Sequence, residues 1–416
     1  MSKENLAYWL IRMASFPFQW MSYPAIRKMG RFVGRCLFYS MRVYRKRTLS
    51  NLALASSLNL SPKEIKRVAI ASFQNLAINC LEYPKLMREK DWKRKIFCEN
   101  PEVADELHKR GQGLIFFCGH QANWEVLFLE GTSRMKGIAI GKPIKNKKLY
   151  NWIVSIREKN GGTITPPRNA IKEGFRALKK GSFMGIVGDQ GMPDSGYSFP
   201  FLGRRAWTST APALLSYRTN CPILFAETKR TQTGYKIRYS DPIWPNLNEP
   251  IEKETVRLMD LILTLLQESI RSSPGEWLWQ HNRWKQHTPQ IVYKRFRQDS
   301  ILIILPKERP DLLPHLKTFR EIYPLGFLFL LAPIELKNQP LFDADEIIYY
   351  EHPKKGTLLE DFRFKLVFDF TESPKVRSHY ERLSAFETIH LKAESPHNLS
   401  ETLKRSLCRP GTLWHA

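Results

Sequence analysis

Cysteine is sparse in this chain. The six in 416 residues, Cys36, Cys80, Cys98, Cys118, Cys221 and Cys408, stand far apart and include no C-x-x-C pair. That spacing excludes a disulfide framework and a zinc ribbon, and it points to a reducing compartment. Long apolar runs are missing as well. The charge-free stretch from Met13 to Ile26 holds about fourteen residues, Pro17 and Pro24 among them, whereas a helix crossing hydrocarbon needs about 20. No small-residue cleavage site follows it, and Arg12, Arg27 and Lys28 interrupt the apolar pattern, so a cleavable signal peptide is not expected. Repeats and low-complexity tracts are absent. No G-x-G-x-x-G follows the strand predicted at 301–305, which leaves nucleotide binding there unsupported.

Acidic residues are the last scarcity, and an uneven one. Lys and Arg number 65 against 40 Asp and Glu, a net charge of +25. Residues 301–416 hold 16 of each sign, which leaves 49 basic against 24 acidic in residues 1–300. The whole surplus therefore sits before residue 301, and such a field favours an anionic partner: nucleic acid, anionic lipid headgroups or an acidic carrier protein. What remains is ordinary for a globular protein of two or three domains, with 43% hydrophobic and 25% charged residues.

Residues 1–50 carry ten Lys or Arg and one acid, Glu4, interleaved with Trp9, Phe16, Phe18, Trp20, Tyr23, Phe32, Phe38 and Tyr39. Rings at headgroup depth and cations on lipid phosphates predict a membrane-associated N-terminal segment lying in the interface. A tilted span that includes residues 6–10, and an amphipathic core helix, are the alternatives. Residues 51–298 read as one α/β domain. Ser61-Pro62-Lys63-Glu64 is a capping box opening a helix whose Ile65, Ala69, Phe73, Leu76 and Cys80 recur at helical spacing. Strands are predicted at 114–118, 138–140, 183–187, 223–226 and 235–239, alternating with helices from 123, over 169–180 and over 254–271. The expected architecture is a mixed sheet covered by helices. After Gln298 the composition turns neutral and a second, smaller α/β unit of unknown role is predicted over 299–416, folding independently.

The chemistry concentrates in Gly113-Leu-Ile-Phe-Phe-Cys-Gly-His120-Gln-Ala-Asn123-Trp124-Glu125, where a strand ends at a Gly-His and a helix follows within a few residues. This H-x-x-x-x-E spacing predicts a dyad in which Glu125 folds back onto one imidazole nitrogen of His120 and the other takes a proton from a hydroxyl. No metal is needed, and the spacing differs from H-E-x-x-H. Cys118 is expected to be core rather than a nucleophile.

The words around this dyad resemble the late acyltransferases of lipid A biosynthesis, the lauroyl and myristoyl transferase family related to glycerolipid acyltransferases. The resemblance runs from about residue 5 to 290 and includes Arg47-Thr48-Leu49-Ser50-Asn51-Leu52, Gly119-His120 with Asn123-Trp124-Glu125, and Lys142-Pro143 with Asn146. It continues through Arg157 with Gly161, Pro167-Arg168-Asn169, Asp189-Gln190-Gly191, and Phe199 to Gly203. It ends at Pro274-Gly275-Glu276-Trp277-Leu278-Trp279, which departs from the commoner Pro-Glu-Gln form.

The resemblance implies a glycerolipid-acyltransferase-like fold and transfer of a fatty acyl group from acyl carrier protein to a hydroxyl of a hydroxyacyl chain. The acceptor would be a Kdo-bearing lipid A precursor, met at the cytoplasmic face of the inner membrane among phospholipids, with no cofactor and no nucleic acid. His120 and Glu125 would be catalytic, and Asn123, Arg157, Arg168, Asp189 and Gln190 would meet substrate. Arg157 and Arg168 are the candidates for a phosphate or an oxyanion, since guanidinium forks match such oxygens. Asp189 is expected to orient Arg157, Arg168 or a substrate hydroxyl. Phe199, Phe201 and Leu202 fit an acyl pocket or the core equally well. Two other readings stay open: an acyltransferase for another polar lipid, such as a phosphoinositide mannoside or a glycerol phosphate, and a non-catalytic basic protein of the membrane periphery.

Overall fold

The computed structural model describes residues 3–89, 92–195, 197–339, 342–371, 373–391 and 398–409. Four helices open the chain: α1 (Lys3–Ser15), α2 (Tyr23–Ser40), α3 (Arg42–Leu54) and α4 (Pro62–Arg88). The capping box at Ser61 and Glu64 is complete at the start of α4, each side chain bonding the other residue's backbone N–H. The buried stripe of α4 runs through Ile65, Ala69 and Phe73 as the spacing predicts, but then continues through Asn75, Ala77, Ile78, Asn79 and Glu82 rather than Leu76 and Cys80. Its polar members are used at the site below.

A seven-stranded sheet follows in the order β1-β9-β8-β2-β5-β3-β4. Its strands are β1 (Ile96–Cys98), β2 (Leu114–Cys118), β3 (Gly137–Ile140), β4 (Thr163–Thr165), β5 (Phe183–Val187), β8 (Ile223–Arg230) and β9 (Tyr235–Tyr239), while β6 (Ser198–Phe201) and β7 (Arg204–Trp207) form a separate hairpin. All pairs in the sheet are parallel except β8 with β9. The connecting helices are α5 (Trp92–Lys95), α6 (Glu102–Lys109), α7 (Glu125–Thr132), α8 (Lys147–Arg157), α9 (Ala170–Lys179), α10 (Ala211–Thr219) and α11 (Ile251–Ser272). Side-chain alternation along β2 sorts them by face. Leu114, Phe116 and Cys118 pack with Val126 and Phe128 of α7. Ile115 and Phe117 pack with Ala170 and Leu178 of α9, Ala213 and Leu215 of α10, and the apolar stripe of α11.

The N-terminal segment is not a single layer. Helix α2 lies on α4 so closely that a Cβ on Gly34 would stand 2.3 Å from the Gln74 Cα, so the glycine is required there. Ile26, Gly30 and Phe38 are buried on the same side, whereas Leu6, Trp9, Leu10, Met13, Phe16 and Trp20 are exposed. Among the described residues no helix is long and apolar enough to cross a membrane, so the tilted span is not found.

The second unit has a five-stranded parallel sheet in the order β12-β11-β10-β13-β14, made of β10 (Ser300–Ile304), β11 (Phe327–Pro333), β12 (Glu346–Tyr350), β13 (Leu366–Asp369) and β14 (Glu387–His390). Although an independently folding unit is expected from the sequence, its sheet shares an apolar core with the first. Leu302, Ile304, Phe329, Leu331 and Val367 belong to the same apolar core as Phe38, Leu49 and Leu52 and the α9–α11 face of the first sheet. Buried polar contacts reinforce the joint. Lys46 Nζ donates to the Ala385 carbonyl and Ser50 Oγ to the Arg363 carbonyl at 2.8 Å. Lys365 Nζ crosses it to donate to Asn282 Oδ1 at 2.7 Å, and within the second unit it donates to Asp299 Oδ1 at 2.6 Å.

Candidate active site

Register builds the site. β2 and β5 are adjacent and parallel, and their last residues, Cys118 and Val187, are paired. Two residues beyond each stand His120 and Asp189, so both emerge side by side at the carboxyl ends of neighbouring strands, the usual crevice of an open α/β sheet. His120 Nδ1 lies 2.6 Å from Asp189 Oδ1. Asp189 Oδ2 accepts from the His120 backbone N–H at 2.7 Å and from Trp277 Nε1–H at 2.7 Å. Gly119 permits this approach, because a Cβ there would meet Leu266 Cδ1 at 2.6 Å and Asp189 Oδ2 at 3.1 Å.

The charge state follows from these contacts. Burial pushes the Asp189 carboxyl up, but the charge and hydrogen bonds of His120, with the Trp277 N–H, outweigh it and hold it at about 2. An ionised carboxylate only accepts, so in the neutral imidazole Nδ1 carries the proton and Nε2 keeps the lone pair. Burial pushes the imidazole of His120 down, but the Asp189 carboxylate, and Glu125 more weakly, raise it above the ordinary histidine value. The side chain keeps 17% of its surface exposed.

Glu125 is not the partner of His120, contrary to the H-x-x-x-x-E expectation. The turn between them contains Ala122 at φ +48°, in the left-handed region. With the chain turned this way, the Trp124 ring meets the imidazole edge-on at 4.7 Å between centroids, and Glu125 opens α7 facing Arg157 instead. Arg157 Nε donates to Glu125 Oε2 at 2.7 Å and Nη2 to Oε1, a two-point fork, while Nε also reaches Tyr83 Oη at 3.3 Å. A carboxylate only 9% exposed needs a full counter-charge, which the planar guanidinium supplies. Burial lowers and Glu125 then raises the Arg157 pKa, with a net upward shift.

The turn itself is tied down from α4 and from the segment after α11. The Ala122 N–H donates to the Glu276 carbonyl at 2.9 Å, and its own carbonyl accepts from Asn75 Nδ2 at 3.1 Å and from Asn79 Nδ2. Arg230 reaches the other end of both amides, Nη1 to Asn75 Oδ1 at 2.6 Å and Nη2 to Asn79 Oδ1 at 2.7 Å. Leu278 N–H donates to the His120 carbonyl at 3.0 Å, so the segment carrying Trp277 runs alongside the His120 turn.

The other expected residues divide. Asn123 is fully buried, with Nδ2 donating to Tyr235 Oη at 3.2 Å, so it faces inward rather than toward a substrate. Gln190 is exposed beside Asp189. Arg168 is exposed on the 3-10 turn Pro167–Asn169 after the edge strand β4, two strands away from β5. It stands at the same end of the sheet as His120, but the structure does not bring it into the cluster. Asp189 orients His120 rather than an arginine or a hydroxyl. Phe199, Phe201 and Leu202 are buried in the main core. Cys118 is buried too, and desolvation pushes its thiol far up, which suits a core residue.

Sequence reasoning missed Trp277, Asn75, Asn79 and Arg230. Trp277 lay within a quoted motif. The two asparagines are four residues apart on one helix face, an unusual polar pair in a buried stripe and the one local signal of their role.

The description of bacterial lipid A biosynthesis acyltransferases matches residues 2–286, which include His120, Glu125, Arg157, Asp189 and Trp277. No curated protein matches the chain. With a match over more than half of its length, the chain belongs to the bacterial lipid A biosynthesis acyltransferase family.

Proposed function

We propose that the protein moves a fatty acyl group from acyl carrier protein to a hydroxyl on a hydroxyacyl chain of a Kdo-bearing lipid A precursor, at the cytoplasmic face of the inner membrane. Family membership supports an acyltransferase acting on a lipid A type acceptor. The observation that carries the mechanism is the imidazole of His120, held by Asp189 through Nδ1 with its other nitrogen left as a base.

Nε2 takes the acceptor hydroxyl proton as the oxygen attacks the thioester carbonyl. The tetrahedral oxyanion collapses, the carbon–sulfur bond breaks, and the imidazolium returns its proton to the departing thiolate. An ester and a free thiol result. Asp189 fixes the tautomer and steadies the imidazolium, as the third group of a triad does. Arg157, anchored by Glu125, offers its remaining N–H donors to the oxyanion or to an acceptor phosphate. Exposed Trp9, Leu10, Met13, Phe16 and Trp20, among ten cations in residues 1–50, support docking on anionic phospholipid.

The test is incubation of membranes carrying the protein with acyl carrier protein thioesters and the lipid A precursor, followed by mass spectrometry of the lipid. The acceptor should gain one acyl mass. His120→Ala should lower turnover by about a hundredfold or more while the protein still folds, and near wild-type turnover by that variant would remove His120 from the mechanism.

A further inference from the structure

Helix α9 has a face that the fold leaves uncovered. Ala170, Gly174 and Leu178 pack down onto the sheet, whereas Ile171 is 50% and Phe175 39% exposed. These two side chains line one wall of a cavity of about 600 Å³, and Leu214 of α10 lines the other. Lys172, Arg176 and Arg218 stand on its rim, all exposed. Lys179 extends the row along α9, and Arg168 precedes it on the turn that feeds the helix. Glu173, 3.0 Å from Arg176, and Asp194 are the acids beside this row. Lys172 and Arg218 pair with no carboxylate among the described residues.

Position gives the groove its meaning. Its lip is formed by Met192, Asp194 and Ser195, on the segment that leaves β5 through Asp189. The starts of α9 and α10 border it as well, so this end of the groove lies at the carboxyl end of the sheet, as His120 does, while Arg176 and Arg218, in the last turns of the two helices, stand toward its other end. Helix α1, which carries Trp9, Leu10 and Met13 of the side chains proposed to dock on the membrane, lies elsewhere. It packs on α8, with Arg12 over the Trp152 ring at 4.8 Å, and α8 adjoins α7 on the opposite face of the sheet from α9 and α10. An apolar groove rimmed by cations, with its lip on the segment that carries Asp189 and on the other side from the lipid-seeking rings, suits a soluble acidic partner better than a bilayer.

We infer that the α9–α10 groove is the docking surface for the acidic carrier protein, which sets its own acidic side chains against Lys172, Arg176 and Arg218 and passes its thioester arm over the Met192–Ser195 lip toward His120. The inference rests on the carrier protein being the donor. Charge complementarity of this kind acts on encounter and is weakened by salt, and it leaves the chemical step alone.

The experiment compares two donors, acyl carrier protein thioester and the same acyl group on free pantetheine, with wild type and with the K172E/R176E/R218E variant. The expected result is a KM for the carrier protein thioester raised about tenfold or more with kcat retained, a flatter dependence of KM on salt, and unchanged transfer from acyl pantetheine. Retained kcat certifies the fold, and a milder K172Q/R176Q/R218Q variant should fall between. An unchanged KM for the carrier protein overturns the docking surface while leaving the donor intact. Equal losses with both donors overturn it too, since the groove would then hold the acyl chain. If vesicle binding falls while donor KM holds, the patch is a membrane contact. Wild type that uses acyl pantetheine but not the carrier thioester removes the donor assignment, and the docking surface with it.

Discussion

One carboxylate sets the protonation state on which the chemistry depends. A general base must be neutral to accept a proton, and Asp189 raises the His120 pKa against the downward pull of burial. The acid limb of kcat/KM against pH should therefore lie above the ordinary imidazole value, with activity lost as pH falls through the raised pKa. Asp189→Asn removes the charge that raises it. The limb should move to lower pH, while the maximal rate drops by about a hundredfold or more because an amide no longer enforces the Nδ1–H tautomer. Glu125→Gln should move the limb much less, since its fork is with Arg157, and should lower the rate through Arg157. Full pH profiles of the two variants check both outcomes. A larger move of the limb for Glu125→Gln would return Glu125 to the role that its spacing suggests.

At the scale of elements, much of the fold is legible because short apolar runs bounded by Gly or polar residues leave little freedom. Leu114–Cys118, Phe183–Val187 and Tyr235–Tyr239 are strands over the residues that the pattern marks. The order of strands is not legible, since it depends on which helix covers which face. Without that order nothing announces that the residues two beyond β2 and β5 meet. H-x-x-x-x-E looks local and suggests a local partner, whereas an alanine at positive φ, which no composition rule flags, turns Glu125 away. The same geometry makes the asparagines of α4 testable. Asn79→Ala removes a donor to the Ala122 carbonyl and an acceptor for Arg230. It should cost about 1–3 kcal/mol of stability and also lower kcat, because the turn carrying His120 loses its tether. Thermal melts beside turnover measure the two effects, and a destabilised variant with full turnover would separate the network from catalysis.

Over the whole molecule, charge and core divide the chain differently. The basic surplus ends near residue 300, yet the apolar core runs through that boundary from Phe38 and Leu49 to Phe329 and Val367. A neutral unit reads as an appendage only while its packing is unseen, and each fully buried Leu, Ile or Phe side chain is worth about 1.5–3 kcal/mol. Cutting the chain after Gln298 would uncover that face, so the shortened protein should aggregate instead of retaining transfer. A gentler probe is the joint beside the site. Lys365 is buried, and burial lowers its pKa against the opposing pull of Asp299, which also accepts from Asn282 Nδ2 at 2.5 Å. Asn282 lies five residues after Trp277, on the strand of chain that holds Asp189 in place. Asp299→Ala leaves an unpaired ammonium inside and should cost about 3–5 kcal/mol. Adding Lys365→Met removes the stranded charge and should recover much of that loss, since an apolar pair of similar volume replaces an ion pair at little cost. If the C-terminal unit steadies the catalytic segment, Asp299→Ala also lowers transfer at temperatures where the protein is still folded, and the double variant restores it. Equal melting temperatures for the two variants would show that the stranded Lys365 charge is not what weakens the joint at Asn282.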